Sequence, residues 1–236
     1  MTNDVTVFGG KVNVADVRTL AQKAQAAALN NPRGGAPGGS VYMNFSGKRG
    51  IYTVGQDNRQ VSPDETWIVD VTSFEEGWIC WKGGRPASTR LSNIYTGVPI
   101  QAPTDDELGP FDEKKGEGWF QAKAFVLKSL DNDEQAYIKL NSISGVSAIA
   151  EQLIGPFSER AGAGEACWPV VALETEKFES QGFTNFKPKF EVLGWLTTEE
   201  LNAVAAGEDV ATFIEMPEEA PPPPTSASAG RSRRRP

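Results

Sequence analysis

The chain has 236 residues, of which 39% are hydrophobic, and a formal net charge of −8 at pH 7. This length supports one or two domains with a substantial core. The sequence contains no histidine, which removes the commonest general base, the commonest metal ligand and the usual partner of a nucleophilic serine or cysteine. We therefore expect a binding protein and not an enzyme, with no catalytic residue, no metal site and no cofactor.

The positions of the charged residues and the small number of cysteines further narrow the class of protein. Acidic residues are concentrated between residues 101 and 219, which argues against a protein that coats duplex DNA with a basic face. No run of about 18 apolar residues is present, so we expect no transmembrane helix. The first ten residues lack the pattern of a secretory signal, and Cys80 and Cys167 are too few for a disulfide framework. These features predict a reduced, cytosolic compartment.

Residues 1–40 are predicted to form an N-terminal arm. A short strand is expected at residues 5–8, and the alanine-rich run at 14–29 favours a helix. Residues 33–39 are rich in glycine and have the composition of a flexible linker. The glycines do not form a strand–GxxxxGK[ST]–helix pattern, so a phosphate-binding loop is excluded.

Residues 41–196 are predicted to form the body, which we expect to be mainly β. The strands at 41–45 and 51–54 flank a glycine-containing turn and predict a hairpin. Further strands are expected at residues 66–72, 77–82, 119–130, 135–142, 168–174 and 186–196, with one internal helix at 144–160. Strands without βαβ alternation predict an antiparallel, OB-like (oligonucleotide-binding) barrel with long loop insertions, and the alternative is an elaborated β-sandwich.

Residues 197–216 are predicted to form a short C-terminal helix followed by an acidic segment. Thr197 with Glu200 three positions later is a capping-box pattern. Residues 217–236 combine prolines, small residues and Arg231, Arg233, Arg234 and Arg235. This composition predicts a disordered tail.

Aromatic and basic residues alternate between residues 41 and 95, where strands are expected. Rings that stack on bases and cations that follow phosphates are the two elements of a single-strand binding surface. We expect bases to stack on some of Tyr42, Phe45, Tyr52, Trp78 and Trp81. We expect phosphates to contact Lys48, Arg49, Lys82, Arg85 and Arg90. The competing interpretation is that these rings form the core of a β protein.

A series of short motifs between residues 41 and 195 resembles a known family. The motifs are Trp78-x-x-Trp81-x-Gly83-x-x-Pro86, Gly109-Pro110-Phe111, Gly118-Trp119-x-Gln121, Ser142-x-Ser144-Gly145, Trp168-Pro169-Val170-Val171-x-Leu173 and Pro188-x-Phe190-x-Val192-x-Gly194-Trp195. In this order they resemble the single-stranded DNA-binding proteins of tailed bacteriophages. The resemblance implies an OB-fold protein that binds phage DNA during replication or recombination, in the host cytoplasm. It also implies replication or recombination partners, which we assign to the C-terminal tail.

Two other functional classes compete with DNA binding. An acidic, loop-rich surface suits an interaction or inhibitor module that competes for the basic site of a host enzyme. Carboxylate clusters such as Asp105-Asp106-Glu107 suit a metal-dependent enzyme without histidine, although none of them has the complete EF-hand spacing. Binding of single-stranded DNA without sequence preference is the function that we expect.

Overall fold

The computed structural model describes residues 4–7, 10–13, 39–95, 99–104, 106–132, 134–180 and 182–214, with side chains from residue 39 onwards. The helix predicted at 14–29, most of the glycine-rich linker and the tail at 217–236 lie outside these residues. The first two strands, β1 (Asp4–Val7) and β2 (Gly10–Asn13), form an antiparallel pair.

Nine further strands form one strongly curled sheet that has the shape of a half-barrel. They are β3 (Val41–Ser46), β4 (Ile51–Val54), β5 (Arg59–Gln60), β6 (Thr66–Lys82), β7 (Arg85–Asn93), β8 (Gly118–Ser129), β9 (Gln135–Leu140), β10 (Trp168–Ser180) and β11 (Phe183–Leu196). Their order is β11-β10-β6-β8-β9-β3-β4-β5, and β7 pairs with the second half of β6. The prediction of a mainly β fold is confirmed. The prediction that this fold is of the OB type stays a prediction.

Three details of the sheet differ from the predicted strands. β3 pairs with β9 in parallel, because five intervening strands carry the chain around the sheet before it returns beside β3. The strands expected at 66–72 and 77–82 are a single strand, β6, with an irregularity between Asp70 and Glu75. β7 was not predicted, because its sequence is largely polar and has a proline at its second position. These are properties of an edge strand.

The predicted internal helix is confirmed. It begins at α1 (Ile143–Ile149), passes through a π-helical turn (Ala150–Ile154) and continues as α2 (Gly155–Ala163). The Ser142 hydroxyl caps its first turn by accepting a 3.0 Å hydrogen bond from the Gly145 amide. The capping box of Thr197 and Glu200 is also present, at the start of α3 (Thr198–Ala205).

The main core lies between the concave face of the sheet and the internal helix. Phe125 of β8 is fully buried, and its ring centroid lies 5.5 Å from that of Phe74 and 5.6 Å from that of Phe190. Ile149 and Leu153 bring the helix into the same cluster. Large aromatic side chains of β6, β8 and β11 therefore pack together in the core that the helix joins.

The two ends of the curled sheet meet at the turn between β3 and β4. The Phe186 amide of β11 donates a 2.8 Å hydrogen bond to the Gly47 carbonyl. Nearby, the Tyr52 hydroxyl of β4 donates to the Glu174 carbonyl of β10 at 3.2 Å. The basic turn at residues 47–50 is thereby fixed against the β10–β11 hairpin.

No helix in the described part of the chain is long and apolar enough to cross a membrane.

Candidate nucleic-acid interface

The turn at residues 47–50 presents two adjacent cations to solvent. The amides of Arg49 and Gly50 both donate to the Ser46 carbonyl, at 3.2 and 2.8 Å, which closes the turn. Lys48 and Arg49 are exposed and have no side-chain hydrogen bond or ion pair to any described residue. Of the basic residues singled out from the sequence, these two are the adjacent pair whose charge is left uncompensated.

The outer half of the β10–β11 hairpin carries two exposed rings that the sequence analysis missed. Phe178 is 39% exposed and Phe183 is 70% exposed. The register pairs Phe178 with Asn185 and Ser180 with Phe183, so both rings lie on one face of the hairpin. The available signal was Gly182, a residue typical of turns, between the two phenylalanines Phe178 and Phe183.

The three rings predicted near the basic turn have different environments. Tyr42 is 38% exposed, and its ring meets that of Tyr137 edge-on at 5.9 Å. Phe45 is half-buried and packs on Tyr52 at 4.9 Å. Tyr52 is only 3% exposed, and its hydroxyl is bonded to Glu174. The prediction that Tyr52 stacks on bases is therefore corrected, since its ring belongs to the core.

The strands β7, β6 and β8 place several other predicted residues on one face. Trp78 lies opposite Arg90, and Cys80, two residues further along β6, lies opposite Trp119. Residues opposed in antiparallel strands share a face, so Trp78, Arg90 and Trp119 lie together. Trp81 lies on the opposite face, as β alternation predicts, and its indole nitrogen is buried without a hydrogen-bond partner among the described residues.

The loop between β7 and β8 crosses this face, and we call its residues 99–104 and 106–117 the strap. Arg90 forms an ion pair of 2.5 Å with Glu107 of the strap, and its guanidinium lies 4.7 Å from the Trp119 ring centroid. The Lys82 ammonium donates to the Leu108 carbonyl at 2.5 Å. The strap therefore engages both Lys82 and Arg90, two of the residues for which we expect phosphate contacts.

The strap is also fixed by an acidic residue near its end. The Glu117 carboxylate accepts from the Gly83 amide at 2.9 Å and from the Asp112 amide at 3.1 Å. These bonds lower the pKa of Glu117, and the bond from Arg90 lowers the pKa of Glu107. Both carboxylates are therefore charged at neutral pH. Arg85, beyond the Gly83–Gly84 turn, is exposed and has no side-chain hydrogen bond or ion pair to a described residue.

A partly buried polar cluster lies beside Tyr42. The Tyr137 hydroxyl donates a 2.7 Å hydrogen bond to the Glu75 carboxylate. Burial raises the pKa of Glu75 and lowers the pKa of Lys139. Tyr42 is thus the exposed edge of a cluster whose other members are mostly covered.

The carboxylate clusters considered for metal binding include Asp105 and Asp133, which lie outside the described residues. Within the described ranges, no three cysteine or acidic side chains are placed together so as to hold a metal ion. Comparison of the chain with protein-family models, curated proteins and solved structures gives no match.

Proposed function

We propose that the protein binds single-stranded DNA without sequence preference. The supporting observation is the exposure of Lys48 and Arg49, which make no side-chain contact with the described residues, on a turn that the Gly47–Phe186 hydrogen bond fixes to the β10–β11 hairpin. The same hairpin carries Phe178 and Phe183 exposed on the face opposite Phe186. Exposed cations can pair with phosphates. Phe178 and Phe183 can stack on bases of any identity, since every base has a π-face. An exposed ring also gains when the face of a base replaces the water around it.

The proposed mechanism requires no chemistry on the DNA. Stacked bases contribute about 1–3 kcal/mol each, and lysine and arginine side chains neutralise phosphates and release counterions. Binding is then tolerant of base identity and strongly dependent on salt. A role in phage replication or recombination in the host cytoplasm, with partner proteins on the C-terminal tail, extends this proposal through the resemblance of the motifs.

The test is a titration of tryptophan fluorescence with oligo(dT) and with a hairpin duplex of equal phosphate content, at two salt concentrations. We expect tighter binding of oligo(dT) and a clear loss of affinity at the higher salt. Equal affinity for the two DNAs at the same salt contradicts the proposal. Absence of binding to both contradicts it as well, and favours the alternative of an interaction or inhibitor module.

A further inference from the structure

A cation and a tryptophan lie together beneath the strap, on the face formed by β7, β6 and β8. The Arg90 guanidinium is 4.7 Å from the Trp119 ring centroid, and Trp78 is the cross-strand neighbour of Arg90 on the same face. A ring beside an arginine is the arrangement that holds a base and its phosphate in single-strand binding sites. These residues are separate from the basic turn at 47–50.

Glu107 contacts both Arg90 and Trp119, as a bound nucleotide would. Its carboxylate is paired with Arg90 at 2.5 Å, and its backbone carbonyl accepts a 3.0 Å hydrogen bond from the Trp119 indole nitrogen. A carboxylate and a phosphate compete for the same guanidinium, because both accept charge-assisted hydrogen bonds from it. The strap thus supplies one anion at the cation that a phosphate would use.

The attachment of this part of the strap is polar and partly exposed. The side chains of Arg90 and Glu107 are 39% and 40% exposed, and Leu108 is 45% exposed. None of the described strap residues belongs to the buried core. Exposed ion pairs contribute little to stability. A competing anion therefore displaces surface contacts here without opening the core.

We propose that Arg90 and Trp119 form a second subsite for single-stranded DNA, which Glu107 covers until a nucleotide displaces it. This inference rests on the proposed function. It assigns one phosphate to Arg90 and one base to the face of Trp119, and it makes Glu107 a competitor of the DNA.

The test compares Glu107→Gln with Glu113→Gln in oligo(dT) titrations at several salt concentrations. Glu113 belongs to the same strap and is exposed, and its side chain has no hydrogen bond or ion pair to a described residue. Its variant therefore removes the same charge without affecting the ion pair of Arg90. We expect Glu107→Gln to bind several-fold more tightly than Glu113→Gln. Its salt dependence should be steeper by about one counterion, because Arg90 becomes available to a phosphate.

Two further variants test whether the gain in affinity for oligo(dT) depends on Arg90. Adding Arg90→Gln to Glu107→Gln should abolish the gain in affinity and the extra counterion. Glu107→Asp keeps the net charge but shortens the side chain, so it should also bind more tightly than wild type, and it replaces Glu107→Gln if that variant is unfolded in a thermal melt.

The outcomes separate the subsite from the proposed function. Equal affinities of Glu107→Gln and Glu113→Gln, in a protein whose wild type prefers oligo(dT), overturn the subsite alone. A gain that persists in the Arg90→Gln double variant also overturns it. Failure of the wild type and of every variant to bind oligo(dT) overturns the proposed function.

Discussion

The backbone amide of Phe186 donates a 2.8 Å hydrogen bond to the carbonyl of Gly47, across the seam of the curled sheet. The ring of Phe186 lies so close to Gly50 that a Cβ at this position would come within 2.6 Å of it. These contacts between two distant segments hold the turn that carries Lys48 and Arg49 against β11. The stability of this seam and the geometry of the basic turn are therefore coupled.

Replacing Gly50 by alanine should destabilise the protein more than the same change at Gly55. Both glycines have positive φ, +62° and +76°, but a Cβ at Gly55 meets nothing within 4 Å. Gly55→Ala therefore measures the backbone cost alone, about 1–2 kcal/mol. Gly50→Ala adds the clash with Phe186, about 1–3 kcal/mol more. Unfolding in urea measures both, and equal losses would show that the ring moves away freely.

The double variant Lys48→Ala/Arg49→Ala should weaken binding of oligo(dT) and of mixed-sequence single strands to a similar extent. Loss of two phosphate contacts should reduce the salt dependence by about one to two counterions. The melting temperature should hardly change, because exposed charges contribute little. Lys114→Ala/Lys115→Ala removes the same charge from the strap and is the control. Unchanged affinity and salt slope in the first variant would exclude the turn from the site.

Replacing Phe183 by alanine should weaken single-strand binding by about 1–3 kcal/mol, the contribution of one stacked base. The ring is 70% exposed, so the free energy of unfolding should change little. Ile143→Ala is the matched control, since Ile143 is an apolar side chain that is 89% exposed and lies at the start of α1. If Phe183→Ala and Ile143→Ala bind oligo(dT) with equal affinity, the Phe183 ring does not contact DNA.

The stability of the protein should depend on pH through Glu75. Burial raises the pKa of its carboxyl above the ordinary value of 4.5, so the folded state holds this proton at pH values where the unfolded state has lost it. Stability from this group is present at low pH and decreases as pH rises through the raised pKa. Glu75→Gln cannot ionise and lacks that decrease.

The unfolding free energy of Glu75→Gln, relative to wild type, should therefore increase as pH rises from 4.5 and then level off above the raised pKa. Asp70, whose pKa is also raised by burial, is present in both proteins and cancels in the difference. Glu113→Gln, at an exposed position, controls for the loss of one charge. A difference that stays constant over this range would show that Glu75 does not titrate in the folded state.

Much of the fold could be predicted from local pattern. The hairpin at 41–54, the internal helix and the capping box at Thr197 depend on residues within a few positions of each other. Strand alternation also placed Trp78 and Trp81 on opposite faces. β7 and the outer half of the β10–β11 hairpin were missed, because polar edge strands lack the apolar alternation that marks a half-buried strand.

The candidate site was less predictable, because exposure depends on contacts with distant parts of the chain. Tyr52 and Tyr42 have similar local sequence environments, yet Tyr52 is buried by β10 and Tyr42 stays at the surface. Arg90 is paired by Glu107, which is 17 residues away in a loop. No sequence periodicity encodes such a pairing.

The sequence by itself determined a mainly β protein with one internal helix, no histidine-based chemistry and a concentration of rings and cations before residue 95. These properties follow from composition and from the periods of strands and helices, which act over a few residues. Only the tertiary structure decided which rings and cations face solvent. The curl of the sheet buries Tyr52, and the strap engages Lys82 and Arg90. The turn held by Phe186 and Gly47 leaves Lys48 and Arg49 without a side-chain partner among the described residues. Each outcome depends on residues brought together from distant positions.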